Sequence, residues 1–122
     1  MPRDKYSSLE HGKMGFHKSS MGIRLKDQHI LTAYCKRPSG EAVYSELDLN
    51  NFLGTRKGDF AWGNRDFMKQ ARNIDFKLEG PENEPVLHAD LDDGEGHMKQ
   101  RQVNLGSCIM NEDGNLSFMQ CF

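Results

Sequence analysis

The sequence predicts an all-β, pseudo-symmetric single domain, and three observations carry that prediction. Apolar and polar residues alternate in short runs, glycine-containing turn signals separate the runs, and the whole pattern occurs twice. Nowhere do apolar residues fall at i, i+3, i+4 and i+7 for three turns, so no long helix is expected.

The duplication is explicit in the letters. At an offset of 51, Phe16 aligns with Phe67, Lys18 with Lys69, Ile23 with Ile74 and Lys26 with Lys77. The register then slips by five, and at an offset of 56 Leu31 meets Leu87, Ala33 meets Ala89, Gly40 meets Gly96, Leu49 meets Leu105 and Gly58 meets Gly114. Apolar positions stay in step where the letters differ: Ile30 with Val86, Leu47 with Val103, Leu53 with Ile109, Phe60 with Leu116, Trp62 with Phe118. Two copies of this size argue for one domain built from two repeats, about 16–66 and 67–122, since a solenoid needs at least three units.

Element by element, Ile30–Cys35 and Val43–Leu49 read as a hairpin around the Pro38-Ser39-Gly40 turn, with Asp93-Gly94-Glu95-Gly96 as the matching turn of the second copy. Asn50–Leu53 and Gly106–Ile109 are each expected to make a single helical turn. Lys57-Gly58-Asp59-Phe60 and Asp113-Gly114-Asn115-Leu116 read as tight turns opening a further hairpin, with glycine taking positive φ. The five extra residues of the second copy belong to Leu78–Pro85, whose Gly and two Pro predict a loop. Residues 1–13, poor in apolar side chains, are expected to be a mobile tail ahead of a domain spanning 14–122.

Composition narrows the function. A chain of 122 residues with 16 Lys plus Arg against 18 Asp plus Glu, net charge -2, lacks the footprint of a nucleic-acid or anionic-membrane binder. No stretch of about 18 apolar residues could span a bilayer, and the opening MPRDKYSSLEHGKMG lacks an apolar signal core. The expected location is therefore cytoplasmic, with export by a non-classical route as the alternative. Cys35, Cys108 and Cys121 are expected to be reduced thiols, Cys121 being the accessible one for an intermolecular bridge in an oxidising compartment.

The residues of catalysis are not arranged for it. The histidines at 11, 17, 29, 88 and 97 never take H-x-x-x-H spacing, and the cysteines form no C-x-x-C. Glu79, Glu82, Glu84, Asp90, Asp92, Asp93 and Glu95 match no cation-loop spacing and read as a solvated acidic edge. Neither a G-x-G-x-x-G loop nor a G-x-S-x-G elbow is present. The expectation is a binding module, with no enzyme activity, no metal and no cofactor.

Leu31-Thr32-Ala33-Tyr34-Cys35, the run Ser45 to Gly54 (SELDLNNFLG) and Gly58-Asp59-Phe60-Ala61-Trp62-Gly63 resemble the cyanovirin-N homology family of lectins. So do Phe67–Asn73 at the start of the second repeat and the closing Val103-Asn104-Leu105 with Ile109–Gly114, so that the resemblance covers about residues 15 to 122. It implies an elongated two-repeat fold, each half a three-stranded sheet plus a β-hairpin, with segments exchanged between repeats and Trp62 anchoring their junction. It also implies non-catalytic binding of mannose-rich oligosaccharides, especially terminal α1,2-linked mannose, by a monomer for which a domain-swapped dimer is the alternative. Family members with one disulfide per repeat would pair the positions of Ser20 with Cys35 and of Ala71 with Leu91. Only Cys35 remains of these, so a disulfide-free member is expected.

Sugar hydroxyls both donate and accept, so such a pocket needs carboxylate or amide acceptors beside ammonium, guanidinium or backbone donors. The resemblance places one pocket at Gly15, Lys18, Ser19, Lys36, Arg37, Pro38, Asn111, Glu112 and Asp113. The other falls at Thr55, Arg56, Lys57, Arg65, Asp66, Gln70, Asp92, Asp93 and Gly94. In the second pocket the turn Thr55-Arg56-Lys57-Gly58 has a hydroxyl for the amide and an ammonium for the carboxylate, so the first pocket is expected to bind better. Asn111→Ala or Asp113→Ala is expected to abolish oligomannose binding with the fold intact. The alternative function is a protein-interaction scaffold that kept the fold and lost sugar binding.

Overall fold

The computed structural model describes residues 15–121. The expected tail, residues 1–13, lies outside the described residues. Ten strands follow in order: β1 (Ser20–Lys26), β2 (Ile30–Lys36), β3 (Ala42–Asp48), β4 (Leu53–Arg56), β5 (Asp59–Trp62), β6 (Ala71–Glu79), β7 (Glu84–Asp92), β8 (Met98–Asn104), β9 (Ile109–Glu112) and β10 (Asn115–Phe118). Short 3-10 turns at Phe16–Ser19, Leu49–Asn51, Phe67–Gln70 and Leu105–Ser107 precede β1, β4, β6 and β9. The second repeat thus reproduces every element of the first, in two antiparallel three-stranded sheets, β1-β2-β3 and β6-β7-β8, and two hairpins, β4-β5 and β9-β10. Among the described residues no helix is long and apolar enough to cross a membrane.

The hairpins are exchanged. The last hairpin, β9-β10, joins the first sheet, where Leu116 N donates to Ser45 Oγ of β3 at 3.0 Å, and the segment leading into β1 reaches β9 through Gly15 N, which donates to Ile109 O at 3.2 Å. Conversely β4-β5 joins the second sheet, where Arg101 Nε of β8 donates to Asp59 Oδ1 of β5 at 2.7 Å. One core runs through both halves, built from Phe16, Leu31, Ala33, Cys35, Leu49 and Leu53 of the first repeat and Phe67, Leu87, Leu105, Ile109 and Leu116 of the second. Trp62 does sit at the junction, its indole stacked near Phe118 of the other repeat at 5.9 Å between centroids, while Phe52 stacks on Phe118 at 4.6 Å.

Local chemistry explains the turns. Asp48 and Asn104 cap the 3-10 turns that follow them, their side chains accepting from Asn50 N at 3.0 Å and Gly106 N at 2.8 Å. Lys57-Gly58 and Asp113-Gly114 both take positive φ throughout, the geometry a two-residue hairpin loop demands. The helical turns start one residue earlier than the sequence suggests, because Leu49 and Leu105 are themselves helical.

Two expectations need correction, and two strands were not foreseen. Leu78–Pro85 is not a loop: β6 runs to Glu79 and β7 begins at Glu84, leaving only residues 80–83 as the turn. Relative to β1 and β2 each strand is two residues longer and the turn one longer, which absorbs the five-residue slip without an irregular loop. β1 and β6, invisible to simple alternation, are strands whose period is broken by a bulge, between Met21 and Arg24 and between Arg72 and Asp75. Finally, the chain is not disulfide-free: Cys108 and Cys121 are bridged, with Cα atoms 5.5 Å apart, and the free thiol is the buried Cys35. Counting cysteines shows only that one is left over; the fold decides which, by bringing the chain's end back onto the 3-10 turn before β9. The cysteine argument for a cytoplasmic location falls with it.

Candidate functional site

In the first half, the segment before β1, the β2–β3 turn and the β9–β10 turn meet around Asn111. Its Nδ2 donates to Ser19 Oγ at 2.8 Å and to Lys36 O at 2.8 Å, and its Oδ1 accepts from Gly114 N at 2.8 Å. One amide thus ties three distant pieces of chain together, both of its N–H groups committed and its oxygen accepting from Gly114 N. Gly114 is required here twice: its φ is +92°, and a Cβ would lie 3.0 Å from Arg37 Cγ and 3.3 Å from Val43. Beside it Arg37 Nε donates to Asp113 Oδ1 at 3.4 Å and Arg37 Nη1 to Glu41 Oε1 at 3.3 Å. The Asp113 and Glu41 carboxylates raise the Arg37 pKa above its ordinary value. Asp113 stays 63% exposed, so its oxygens are open to a ligand. Lys18, Lys36 and Glu112 are exposed at the same junction, Pro38 forms the adjoining turn, and Gly15, left-handed at φ +93°, starts the 3-10 turn bearing Lys18.

The second half holds a cavity of about 530 Å³ lined by Thr55, Lys57, Arg65, Asp66, Gln70, Asp92, Asp93 and Gly94, together with Asn64 and Lys69. Of the residues expected there, only Arg56 is absent from the lining. Asn64 and Lys69 were missed. The repeat itself carried the signal for Lys69, which aligns with Lys18 of the first pocket. Thr55, the counterpart of Asn111, has no amide to bridge with; Asn64 Nδ2 instead donates to Thr55 O at 3.3 Å.

The β7–β8 turn is internally braced. Asp92 Oδ1 accepts from Gly94 N at 2.8 Å, and Asp93 Oδ1 accepts from Glu95 N at 2.7 Å and His97 N at 3.2 Å. These backbone donors, Glu95 N foremost, hold the Asp93 carboxyl below its ordinary pKa. Lys57 therefore faces a cavity whose opposite turn supplies carboxylates, whereas Asp113 faces Arg37. Each half keeps a cation and a carboxylate on facing turns, with their positions exchanged.

The remaining histidines and acids are dispersed. His29 Nδ1 lies 2.8 Å from Asp48, His88 pairs with Glu79, and His97 lies 3.2 Å from Asp93. Among the described residues no three His, Cys, Asp or Glu side chains are grouped to hold a metal ion.

An all-β pseudo-dimer that exchanges hairpins and sets donors against acceptors at each hairpin–sheet junction is suited to bind a ligand rich in hydroxyl groups. More specifically, the CVNH domain model matches residues 16–117, and the chain belongs to that family, the cyanovirin-N homologues. It is 32% identical over 105 residues to the cyanovirin-N homolog of Neurospora crassa, covering 83% of this chain and 95% of that protein. The NMR structure of the Gibberella zeae member superposes with a TM-score of 0.83 at 42% identity, covering 86% of this chain and 97% of that one. A microvirin–mannobiose complex superposes with a TM-score of 0.74 at 25% identity, covering 87% of this chain and 98% of that one.

Proposed function

We propose that the protein is a non-catalytic lectin for mannose-rich oligosaccharides, with terminal α1,2-linked mannose as its determinant and the Asn111–Asp113 junction as its stronger site. The observation that carries this reading is the pairing of the open Asp113 carboxylate with Arg37 across turns that Asn111 holds in place. A vicinal diol satisfies such a pair by donating to the carboxylate and accepting from the cation, in charge-assisted bonds. The mannobiose bound by microvirin, a structural neighbour, supports the sugar class. In the second half Asp92 and Asp93 are largely engaged by their own turn, which supports weaker binding there. A monomer with one effective site does not cross-link glycans.

Titration of α1,2-mannobiose into labelled protein, followed by amide shifts, is expected to move Lys36–Pro38 and Asn111–Gly114. Asp113→Ala is expected to weaken binding by about tenfold or more, the worth of one charge-assisted hydrogen bond. Unchanged affinity in that variant, on an otherwise native spectrum, overturns the site. Saturable shifts confined to the second cavity overturn the ranking of the two.

A further inference from the structure

The outer face of the first sheet carries a row that the second sheet lacks. Met21, Tyr34 and Tyr44 are direct cross-strand partners on β1, β2 and β3, and they are 47%, 48% and 50% exposed. The two tyrosine rings lie 5.2 Å apart at 58°, forming a shallow angled cradle. Their setting is fixed. Tyr34 lies against the bulge at Gly22, where a Cβ would come within 3.3 Å of its ring. Tyr44 Oη donates to Glu46 Oε2 at 2.7 Å, and Lys26 Nζ donates to the same oxygen at 2.9 Å. In the second repeat the corresponding partners are Arg72, Asp90 and Gln100, and the bulge residue Asn73 donates to Asp90 at 2.7 Å. A polar sheet face is therefore available to this fold, and the first half departs from it.

The row adjoins the stronger cleft. Lys36, whose carbonyl holds Asn111, is two residues beyond Tyr34 on the same strand face, about 7 Å away at the usual strand rise. Ser19, the other partner of Asn111, is two residues before Met21. From this continuity, and resting on the lectin reading above, we propose that the Tyr34–Tyr44 cradle is an extension subsite. It takes the pyranose rings of a longer glycan whose terminal residues occupy the Asn111–Asp113 junction. The chemistry fits: a pyranose ring presents a face of C–H groups, with positive edges, to the negative face of an aromatic ring. The hydroxyls on its rim meet the Glu46 carboxylate and Lys26 ammonium beside the rings. A row of three side chains bordered by charges is too narrow for a stable protein interface, which needs about 800 Å² from each partner.

The test compares α1,2-mannobiose with linear α1,2-mannotetraose on the full chain. The tetraose is expected to bind about tenfold more tightly and to shift Met21, Tyr34 and Tyr44, while both sugars shift Asn111–Gly114. Tyr34→Ala with Tyr44→Ala is expected to bring the tetraose down to the affinity of the disaccharide and leave the latter unchanged. Tyr34→Phe, which keeps the ring, is expected to retain the gain. Equal affinities with no shift at the tyrosines overturn the subsite and leave the cleft standing. Silence at Asn111–Gly114 with both sugars overturns the cleft itself, and the extension with it. Shifts at the tyrosines that follow protein concentration without sugar make the face a contact between copies and overturn the proposal.

Discussion

Asn111 and Thr55 occupy equivalent positions in the two exchanged hairpins, which makes them a controlled comparison within one molecule. Asn111→Ala removes two donations, to Ser19 Oγ and Lys36 O, and one acceptance, from Gly114 N, all at 2.8 Å. A net hydrogen bond contributes about 0.5–1.5 kcal/mol, and partly buried partners left unsatisfied add to the loss. The expected destabilisation is about 2–3 kcal/mol. Thr55→Ala removes a half-buried hydroxyl with no such bridge, and is expected to cost under about 1 kcal/mol. Urea denaturation followed by Trp62 fluorescence reads both. With a slope near 2 kcal/mol per molar, Asn111→Ala is expected to lower the midpoint by about 1 M and Thr55→Ala by less than half of that. Equal midpoints for the two variants would refute the bridging role. Asn111 is thus a positioning residue, so its substitution does not leave the site's geometry intact, and Asp113 is the cleaner probe of sugar contact.

Two further predictions concern the rest of the chain. Reduction of Cys108–Cys121, or Cys108→Ser with Cys121→Ser, opens a loop of sequence separation 13 and is expected to cost about 3 kcal/mol; a reduced protein that melts like the oxidised one contradicts this. His17 is a pH-sensitive group: neither ring nitrogen has a hydrogen-bond partner among the described residues, and burial, then the Lys18 charge, hold its pKa below the ordinary 6.5. Above that value both states are neutral at this ring. As pH falls through it the unfolded chain takes up a proton that the folded chain refuses, so stability declines until the folded pKa is reached. Denaturation midpoints between pH 7.5 and 5 are expected to fall more steeply in the native chain than in His17→Gln; parallel slopes would remove His17 from the account.

Much of the fold was legible because the duplication tests every assignment twice. Leu31, Ala33 and Leu49 could be placed in the core from sequence since Leu87, Ala89 and Leu105 repeat them, and all six are buried. β1 and β6 were not legible from alternation, because Gly22 and Asn73 adopt left-handed conformations and push the inward residues out of phase. Leu78–Pro85 was misread for a related reason. Pro85 is the second residue of β7, where its missing N–H breaks less of the ladder than at mid-strand, and it marks a hairpin end, not a loop. The Cys108–Cys121 bridge was beyond sequence reasoning altogether, since nothing local announces that the chain's end returns to the turn before β9.

The site shows why comparing one turn with its counterpart is insufficient. Taken alone, Thr55-Arg56-Lys57 exchanges acceptors for donors and suggests a dead pocket. Yet the β7–β8 turn facing it carries Asp92 and Asp93 where the β2–β3 turn carries Lys36 and Arg37, so both halves retain a donor–acceptor pair with its polarity reversed. What separates the halves is how far the carboxylate is committed. Asp113 is 63% exposed, whereas the Asp93 side chain is 10% exposed and accepts from two backbone N–H groups of its own turn. A ligand in the second cavity must compete with those bonds or rely on Asp66, Lys57 and Arg65 at its margin. The weaker binding proposed for the second site then follows from the commitment of Asp93 to its own turn, not from a lack of acceptors. Glu95→Pro, which removes the N–H that donates to Asp93 Oδ1, is then expected to strengthen sugar binding there, provided the turn keeps its shape. A spectrum showing the turn preserved and the second cavity still silent to mannobiose would refute that cause.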